Sequence, residues 1–181
     1  GIPWENPVQK TREYVNALRG PLPIMAPAVY EPVPIYIAAH GPKMLAVAGE
    51  VADGINTYMK TPEHTTHARR LVGADKVLNV VLPCCLTTDP AIGRAVGRAM
   101  VSIYLPLPAY QRQWASQGFD ESDWTNGGSD RLVDTYVAWG SIETIHNRMQ
   151  EHIDAGANSI IMAAGGYSPE NSWELLEATA P

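Results

Sequence analysis

The sequence predicts an α/β fold in which helices cover a parallel sheet, and three observations carry that prediction. Short, almost wholly apolar runs alternate along the chain with stretches of helical spacing. Turn residues such as Asp53 and Gly54 separate these runs. The 181 residues are 45% hydrophobic and 18% charged, which is typical of a globular domain that buries a core. We therefore treat residues 1–181 as a single domain.

The first half of the chain is predicted to hold one helix followed by two strand–helix units. Asn6 and Pro7 start a helix whose apolar spacing continues to Leu18, and Gly20 ends it. Five prolines in residues 20–34 exclude helix and strand there and predict an extended connector. The next elements are a strand over 35–38, a loop over 39–42, a helix over 43–52, a strand over 55–58 and a helix over 61–72.

The second half begins with a longer strand over 77–86. It contains Cys84 and Cys85, whose adjacency predicts two buried free thiols rather than a loop-closing disulfide. The spacing of Gly93 and Gly97 predicts close packing of the helix that carries them. The later elements are a helical stretch that starts near 90, is interrupted over 105–108 and resumes over 110–116, a loop over 118–130, a helix over 130–139, a helix over 142–155, a strand over 159–163 and a helix over 169–178.

Four convincing strands leave the closure of the sheet open. A doubly wound sheet could close on four or five strands, whereas a (β/α) barrel needs eight strands and about 250 residues. If the fold is a barrel, this chain carries only its second half, with two open strand edges and half of an apolar interior exposed. We then expect it to need the missing half or a partner.

Bulk properties exclude several classes of function. The net charge is −6 and the 13 basic residues form no cluster, which argues against nucleic-acid binding. No apolar run reaches the ~20 residues of a membrane helix, and the polar, proline-broken start does not resemble a signal peptide. The two adjacent cysteines do not have the spacing of a zinc site. Because they are not expected to form a disulfide, they favour a reducing compartment. We therefore expect no membrane span, no metal and a cytoplasmic location.

The loop between the first strand and the next helix is the feature that carries chemistry. It consists of Ala38, Ala39, His40, Gly41, Pro42 and Lys43. Ligands bind at this end of parallel α/β sheets. A helix start presents unpaired N–H groups and partial positive charge, and small residues let a phosphate approach the backbone. A plain strand–helix turn fits the residues equally well, because the run is neither a Walker loop nor a GxGxxG fingerprint.

The run PIYIAAHGPKMLAVAGEVADG over residues 34–54 resembles the corresponding run of the luciferase-like monooxygenases. It is most similar to the branch that uses the deazaflavin coenzyme F420. The flanks WENPVQKTREYVNALR and WGSIETIHNRMQEHIDAGANSIIM agree, so the resemblance covers nearly the whole chain. It implies the C-terminal half of a (β/α)8 barrel, with a helical insertion between the third and fourth visible strands.

The resemblance also implies a set of binding residues. The cofactor phosphate would lie on the loop after the fifth barrel strand, against Ala38, Ala39, His40 and Gly41, with Pro42 and Lys43 at the helix start. Two further residues, Tyr58 and Lys60, would lie near the cofactor tail. The insertion would roof the ring end of the cofactor, so its rings Tyr104, Tyr110 and Trp114 are either a wall of the substrate pocket or satellite core. The catalytic residues of the family belong to the missing half, and none is assigned.

Two classes of function follow from the resemblance. The first is an oxidoreductase that transfers a hydride with coenzyme F420 to or from a small organic substrate, with an FMN-dependent monooxygenase as the alternative. The second is a non-catalytic half-barrel that dimerises and carries a flavin. The expected partners are a small-molecule substrate and either a second copy or the missing half of the barrel.

Two pairs of histidines and one acidic group are interpreted as surface features. The pairs are expected to be exposed or solvated rather than metal-binding, and the acids to form a flexible loop rather than an acid–base pair. These residues are His64 and His67, His146 and His152, and Asp120, Glu121 and Asp123.

Overall fold

The computed structural model describes residues 5–20 and 33–180, so most of the predicted proline-rich connector lies outside the described residues. Helices and strands alternate as the sequence predicted. The elements are α1 Pro7–Arg19, β1 Tyr36–Ala38, α2 Pro42–Val51, β2 Gly54–Tyr58, α3 Pro62–Val72, β3 Val77–Leu86, α4 Pro90–Val101, α5 Pro108–Ser116, α6 Glu121–Trp124, α7 Asp130–Tyr136, β4 Ala138–Gly140, α8 Ile142–Asp154, β5 Ser159–Ala164 and α9 Pro169–Thr179.

The strands form one parallel sheet. β1 pairs with β2, and β2 pairs with the first half of β3, from Gly54↔Val77 to Tyr58↔Val81. β5 lies on the other edge of β3, from Asn79↔Ser159 to Cys84↔Ala164. Apart from β4, which pairs with the end of β3, the strands follow one another in chain order, β1-β2-β3-β5. A (β/α) barrel has this order, whereas a doubly wound sheet reverses it. The described chain is part of such a barrel, which confirms the predicted fold class.

The two faces of the sheet are not equally buried. Helices pack against the convex face, where Ile55, Leu78 and Val80 are fully buried. On the concave face, Tyr36 and Ile161 keep 39% and 44% of their surface exposed. Among the described residues no strand pairs with the outer edges of β1 and β5. In the described part of the chain, the sheet therefore has two unpaired strand edges and an incompletely covered face.

Residues 130–139 do not form the single predicted helix. The helix α7 ends at Tyr136, and β4 then pairs with the end of β3, with Ala138 opposite Cys84. The indole of Trp139 packs on Gly93 of α4, where a side chain would collide with the ring. Pairing and packing partners distant in sequence override the local helical preference here. The same contact confirms the predicted close packing of α4.

The acidic segment is ordered, so its prediction as a flexible loop is wrong. Asp120 caps the short helix α6 and forms a capping box with Asp123. The Asp123 carboxylate is buried, accepts a hydrogen bond of 2.6 Å from the Ser129 hydroxyl and forms an ion pair with Arg131. The hydrogen bond from Arg131 lowers the pKa of Asp123 to about 2. The carboxylate thus has a structural role in closing the segment.

The two cysteines are buried free thiols, as predicted. Burial raises the pKa of the Cys84 thiol to about 12, which keeps it protonated and unreactive. His146 is exposed, also as predicted. His152, by contrast, is fully buried under α3, with its Nδ1 2.9 Å from the Thr65 hydroxyl. The prediction that His152 is solvated is therefore wrong, because α3 covers that face of α8.

The buried His152 predicts an acid-sensitive fold. Burial lowers the pKa of His152 from 6.5 to about 4, so its contribution to stability is complete above pH 6.5 and is lost as the pH falls towards 4. The loss is at most about 1.4 kcal/mol per pH unit. In urea denaturation at pH 7.5 and 5, a His152→Asn variant should lose less unfolding free energy between the two pH values than the unsubstituted chain. The exposed control His146→Asn should behave like the unsubstituted chain, and equal losses in all three would contradict the assignment.

Candidate functional site

The candidate site lies where β1 and β2 end. Because the strands are parallel, the loops that follow them share one edge of the sheet. Gly41 is the N-cap of α2, and the helix begins at Pro42, one residue before the predicted start at Lys43. The Gly41 carbonyl accepts hydrogen bonds from the Met44 and Leu45 amides at 3.1 and 3.0 Å, so the helix begins at once. Its first N–H groups have no intrahelical partner, which is the arrangement that binds anions.

The loop is accessible on its outer side. Ala38, Gly41, Pro42 and Lys43 are exposed, whereas Ala39 is fully buried and anchors the loop. A side chain built at Gly41 would meet no atom within 4 Å. The site therefore has the open approach and the helix start that a phosphate requires.

The end of the sequence motif, Asp53 and Gly54, anchors the start of β1, the strand that leads into the loop. The Asp53 carboxylate accepts hydrogen bonds from the Ile35 amide at 2.7 Å and from Arg19 at 2.8 Å. These bonds hold the pKa of Asp53 below its usual value, the Ile35 amide contributing most. A side chain at Gly54 would overlap the Val77 carbonyl and the Tyr36 ring. The motif is thus partly a packing device that fixes β1 against β2.

The end of β2 places Tyr58 and Lys60 beside the loop. Between them Met59 has φ 52, a left-handed conformation that bulky residues rarely adopt and that is often found at functional sites. Lys60 is 1% exposed; its ammonium donates to the Gln113 side-chain oxygen and lies 5.1 Å from the Tyr110 ring centroid. Burial lowers the pKa of Lys60 to about 7. A charge brought close to this buried ammonium group would therefore shift the pKa of Lys60 further.

The predicted pocket residues pack together as one aromatic cluster, which we define as Tyr58, Tyr104, Tyr110 and Trp114. Successive ring centroids along this series are 5.2, 4.8 and 5.6 Å apart. Trp114 is fully buried, while Tyr104 and Tyr110 are half-buried at the edge of the cluster. Trp114 is thus part of the core, whereas the role of Tyr104 and Tyr110 as a wall of the substrate pocket stays a prediction.

The histidine of the loop joins this cluster. The ring of His40 lies 5.8 Å from that of Tyr110, which also contacts Lys60. The structure thus brings together His40, Tyr58, Lys60, Tyr104 and Tyr110, which are widely separated in the sequence. Lys43 is exposed at the helix start.

A cavity of about 470 Å³ opens between the loop and α5. Its lining residues are His40, Gly41, Pro42, His64, His67, Ala109, Arg112, Gln113, Ser116 and Gln117. The described residues contain no group of three or more His, Cys, Asp or Glu side chains that could hold a metal ion. The cavity thus lies directly against the loop and the start of α2.

Two residues of this cavity escaped the sequence prediction. His64 was expected to be exposed, but it is half-buried and its Nε2 lies 2.9 Å from the His40 carbonyl oxygen. His67 is exposed, as expected. A signal was available for His64, because Thr61 caps α3 and the first turn of such a helix lies at the ligand end of the sheet. Gln113 carried no signal, since its role depends on α5 folding over Lys60.

Comparisons with known proteins match most of the chain. A family model described as luciferase-like monooxygenase matches residues 1–159. A 5,10-methylenetetrahydromethanopterin reductase from Methanolobus tindarius is 24% identical, over 97% of this chain and 67% of that protein. The similarity therefore extends almost from end to end of this chain.

Two solved structures share the fold. The coenzyme F420 dependent tetrahydromethanopterin reductase from Methanopyrus kandleri is 16% identical with a TM-score of 0.60, over 80% of this chain and 49% of that one. An F420-dependent secondary alcohol dehydrogenase in complex with an F420-acetone adduct is 16% identical with a TM-score of 0.61, over 96% of this chain and 62% of that one. The chain thus spans half to three fifths of these structures. Within the described residues, no helix is both long and apolar enough to cross a bilayer.

Proposed function

The chain belongs to the luciferase-like monooxygenase family, and from that premise we propose that it binds coenzyme F420 and takes part in hydride transfer to or from a small organic substrate. The observation that carries the proposal is the open loop at the start of α2, flanked by the buried cation Lys60. The names of the Methanopyrus kandleri reductase and of the secondary alcohol dehydrogenase both include F420, which supports a deazaflavin rather than another cofactor.

The residues of the site fit a cofactor that carries a phosphate. The backbone over 38–41 and the first turn of α2 would hold the phosphate, and the small side chains allow it to approach. Lys60 would add charge from the side of β2, with Tyr58 next to the cofactor tail. An anion beside Lys60 would stabilise its ammonium form and so raise the pKa that burial lowers. When bound, the deazaflavin supplies the hydride chemistry, and the protein supplies binding and orientation.

The substrate side of the site would lie toward the insertion between β3 and β5. Tyr104 and Tyr110 present half-buried rings there, suited to a flat or apolar substrate. No residue of this chain is proposed as catalytic, since the family resemblance places catalytic groups in the other half of the barrel. The chain is thus proposed as the part of the enzyme that binds the cofactor phosphate.

Completion of the barrel is part of the proposal. Exposed rings lie at both ends of the described sheet, with Tyr14 on α1 and Trp173 on α9 each 65% exposed and Tyr36 of β1 39% exposed. An N-terminal half of the barrel would cover both ends at once. A second copy of the chain is the other candidate, and it belongs to the alternative in which a dimer carries a flavin without turnover.

FMN is the alternative cofactor, because its phosphate fits the same loop. Titrating the chain with coenzyme F420 and with FMN, with fluorescence as the readout, should give tighter binding of F420. Hydride transfer should then be seen as bleaching of the deazaflavin absorbance when a secondary alcohol is added as hydride donor to the protein supplied with an N-terminal barrel half. Tight FMN binding without F420 binding would refute the deazaflavin. A stable dimer in light scattering that binds the cofactor without turnover, even with the N-terminal half, would favour the carrier function.

A further inference from the structure

A row of polar side chains crosses the concave face of the sheet. Asn56 of β2, Asn79 of β3 and Ser159 of β5 lie opposite one another in the register of the strands. The Ser159 hydroxyl donates a hydrogen bond to the side-chain oxygen of Asn79 at 2.6 Å, and the Asn79 amide donates to the side-chain oxygen of Asn56 at 3.0 Å. Side-chain hydrogen bonds therefore join β2, β3 and β5 in addition to the backbone pairing.

Apolar side chains lie on both sides of this polar row. Because side chains alternate between the two faces of a strand, residues two positions away from the row share its face. They are Tyr36 and Val77 on one side, and Tyr58, Val81 and Ile161 on the other. Tyr36 and Ile161 belong to the two edge strands and are exposed. Exposed apolar side chains grouped around polar ones indicate a surface that contacts another protein segment.

Ser159 has hydrogen-bonding capacity that the described residues leave unused. Its hydroxyl has a single proton, which it donates to Asn79, so the oxygen is left as an acceptor. Ser159 is exposed and lies on β5, whose outer edge pairs with no strand among the described residues. On a strand added at this edge, the residue opposite Ser159 would face the same side of the sheet. A donor side chain at that position would extend the polar row.

The helices indicate which protein segment fits this surface. Apart from the insertion, five described helices form an outer layer in the order α1, α2, α3, α8 and α9, each packed on the next, around the four strands β1, β2, β3 and β5. A (β/α)8 barrel has one helix for each strand. Two copies of this chain would bring ten helices to eight strands, and α9 of one copy would meet α1 of the other at each junction. A segment with four strands and three helices avoids that conflict.

We propose that the concave face and the open edge of β5 dock an N-terminal barrel half whose strand beside β5 carries a side-chain hydrogen-bond donor opposite Ser159. The proposal rests on the proposed function for the existence of that half and adds the contact through which it docks. A donor that is buried without an acceptor is costly. A one-residue slip would turn the donor to the other face of its strand. Ser159 therefore selects the register in which the added strand pairs.

A barrel half is available as a probe from a structure that shares the fold. The chain covers 49% of the Methanopyrus kandleri reductase, and the part of that reductase which it does not cover is the probe. Titration followed by fluorescence anisotropy should show a complex with the unsubstituted chain. Ser159→Ala removes the acceptor and should weaken the complex about tenfold or more, because the donor would be buried without a partner. Ser159→Thr keeps the hydroxyl and should bind as tightly as the unsubstituted chain.

A second measurement separates docking from stability. In urea denaturation without the probe, Ser159→Ala should have nearly the same midpoint as the unsubstituted chain, because Ser159 is exposed. A midpoint that falls together with the affinity would overturn the assignment of Ser159 to docking, and so would equal affinities for Ser159→Ala and the unsubstituted chain or weak binding by Ser159→Thr.

Two further results would overturn the docking surface itself: no complex with the probe at any concentration, or a stable dimer of the chain that the probe does not dissociate. The titration of the chain with coenzyme F420 is a separate measurement. Cofactor binding without docking would overturn this proposal and leave the binding of the cofactor intact, whereas docking without cofactor binding would overturn the proposed function alone.

Discussion

A Trp114→Ala variant is expected to lose about 3–5 kcal/mol of unfolding free energy, the usual cost of truncating a large buried ring. Trp114 is fully buried, and its ring lies 5.6 Å from Tyr110, 6.3 Å from Trp124 and 6.2 Å from Tyr136. These contacts join α5, α6 and α7, so the loss would loosen the whole insertion over the site. Since domains have about 5–15 kcal/mol of stability in total, the variant should be close to unfolding.

Urea denaturation measures this loss, and the chain offers a matched control. Trp173 on α9 is 65% exposed, so Trp173→Ala should change the unfolding free energy by less than about 0.5 kcal/mol. Equal denaturation midpoints for the two variants would show that the aromatic cluster is not a core. The account of Tyr104 and Tyr110 as a wall supported by Trp114 would then fail.

A Gly41→Val variant is expected to keep its fold and lose about 100-fold in affinity for the cofactor. Gly41 has φ −89 and ψ 157, which valine adopts easily, and a side chain there meets no atom within 4 Å. The new methyl groups would instead occupy the space through which a phosphate approaches the first turn of α2. Losing one or two charge-assisted hydrogen bonds, at about 1.5–3 kcal/mol each, corresponds to the expected loss of affinity.

The control for Gly41→Val is Ala46→Val, which places a valine at an exposed position on α2. It should leave the cofactor affinity unchanged. If both variants bind as tightly as the unsubstituted chain, the open space at Gly41 is not the phosphate approach. Thermal denaturation will show whether Gly41→Val is folded. An unfolded variant would contradict the expectation that valine fits at this position.

The sequence predicted the parts of the fold that depend on local pattern. Helices α2 and α3 are indicated by Pro42 and Thr61 at their starts, and the strands are indicated by short apolar runs. It missed β4, because Ala138 is held by pairing with Cys84, more than fifty residues earlier. His152 was misjudged for the same reason: its burial depends on α3 packing over α8, which helical periodicity alone does not reveal.

The candidate site was predictable in outline but not in its polar detail. The loop over 38–43 follows from its place between a strand and a helix, and the resemblance added Tyr58 and Lys60. What could not be predicted is which atoms meet. The left-handed Met59 turns Lys60 into the interior, and α5 brings Gln113 over it. These are tertiary arrangements that no spacing in the sequence encodes.

The central claim is that the loop at the start of α2 binds the phosphate of the cofactor. The most direct test combines two ligands and two proteins: coenzyme F420 and the same deazaflavin without its phosphate, each titrated into the unsubstituted chain and into Gly41→Val. The unsubstituted chain should prefer the phosphorylated ligand about 100-fold, equivalent to about 2.8 kcal/mol, and the variant should show almost no preference. An equal preference in both proteins, or none in the unsubstituted chain, would contradict the claim.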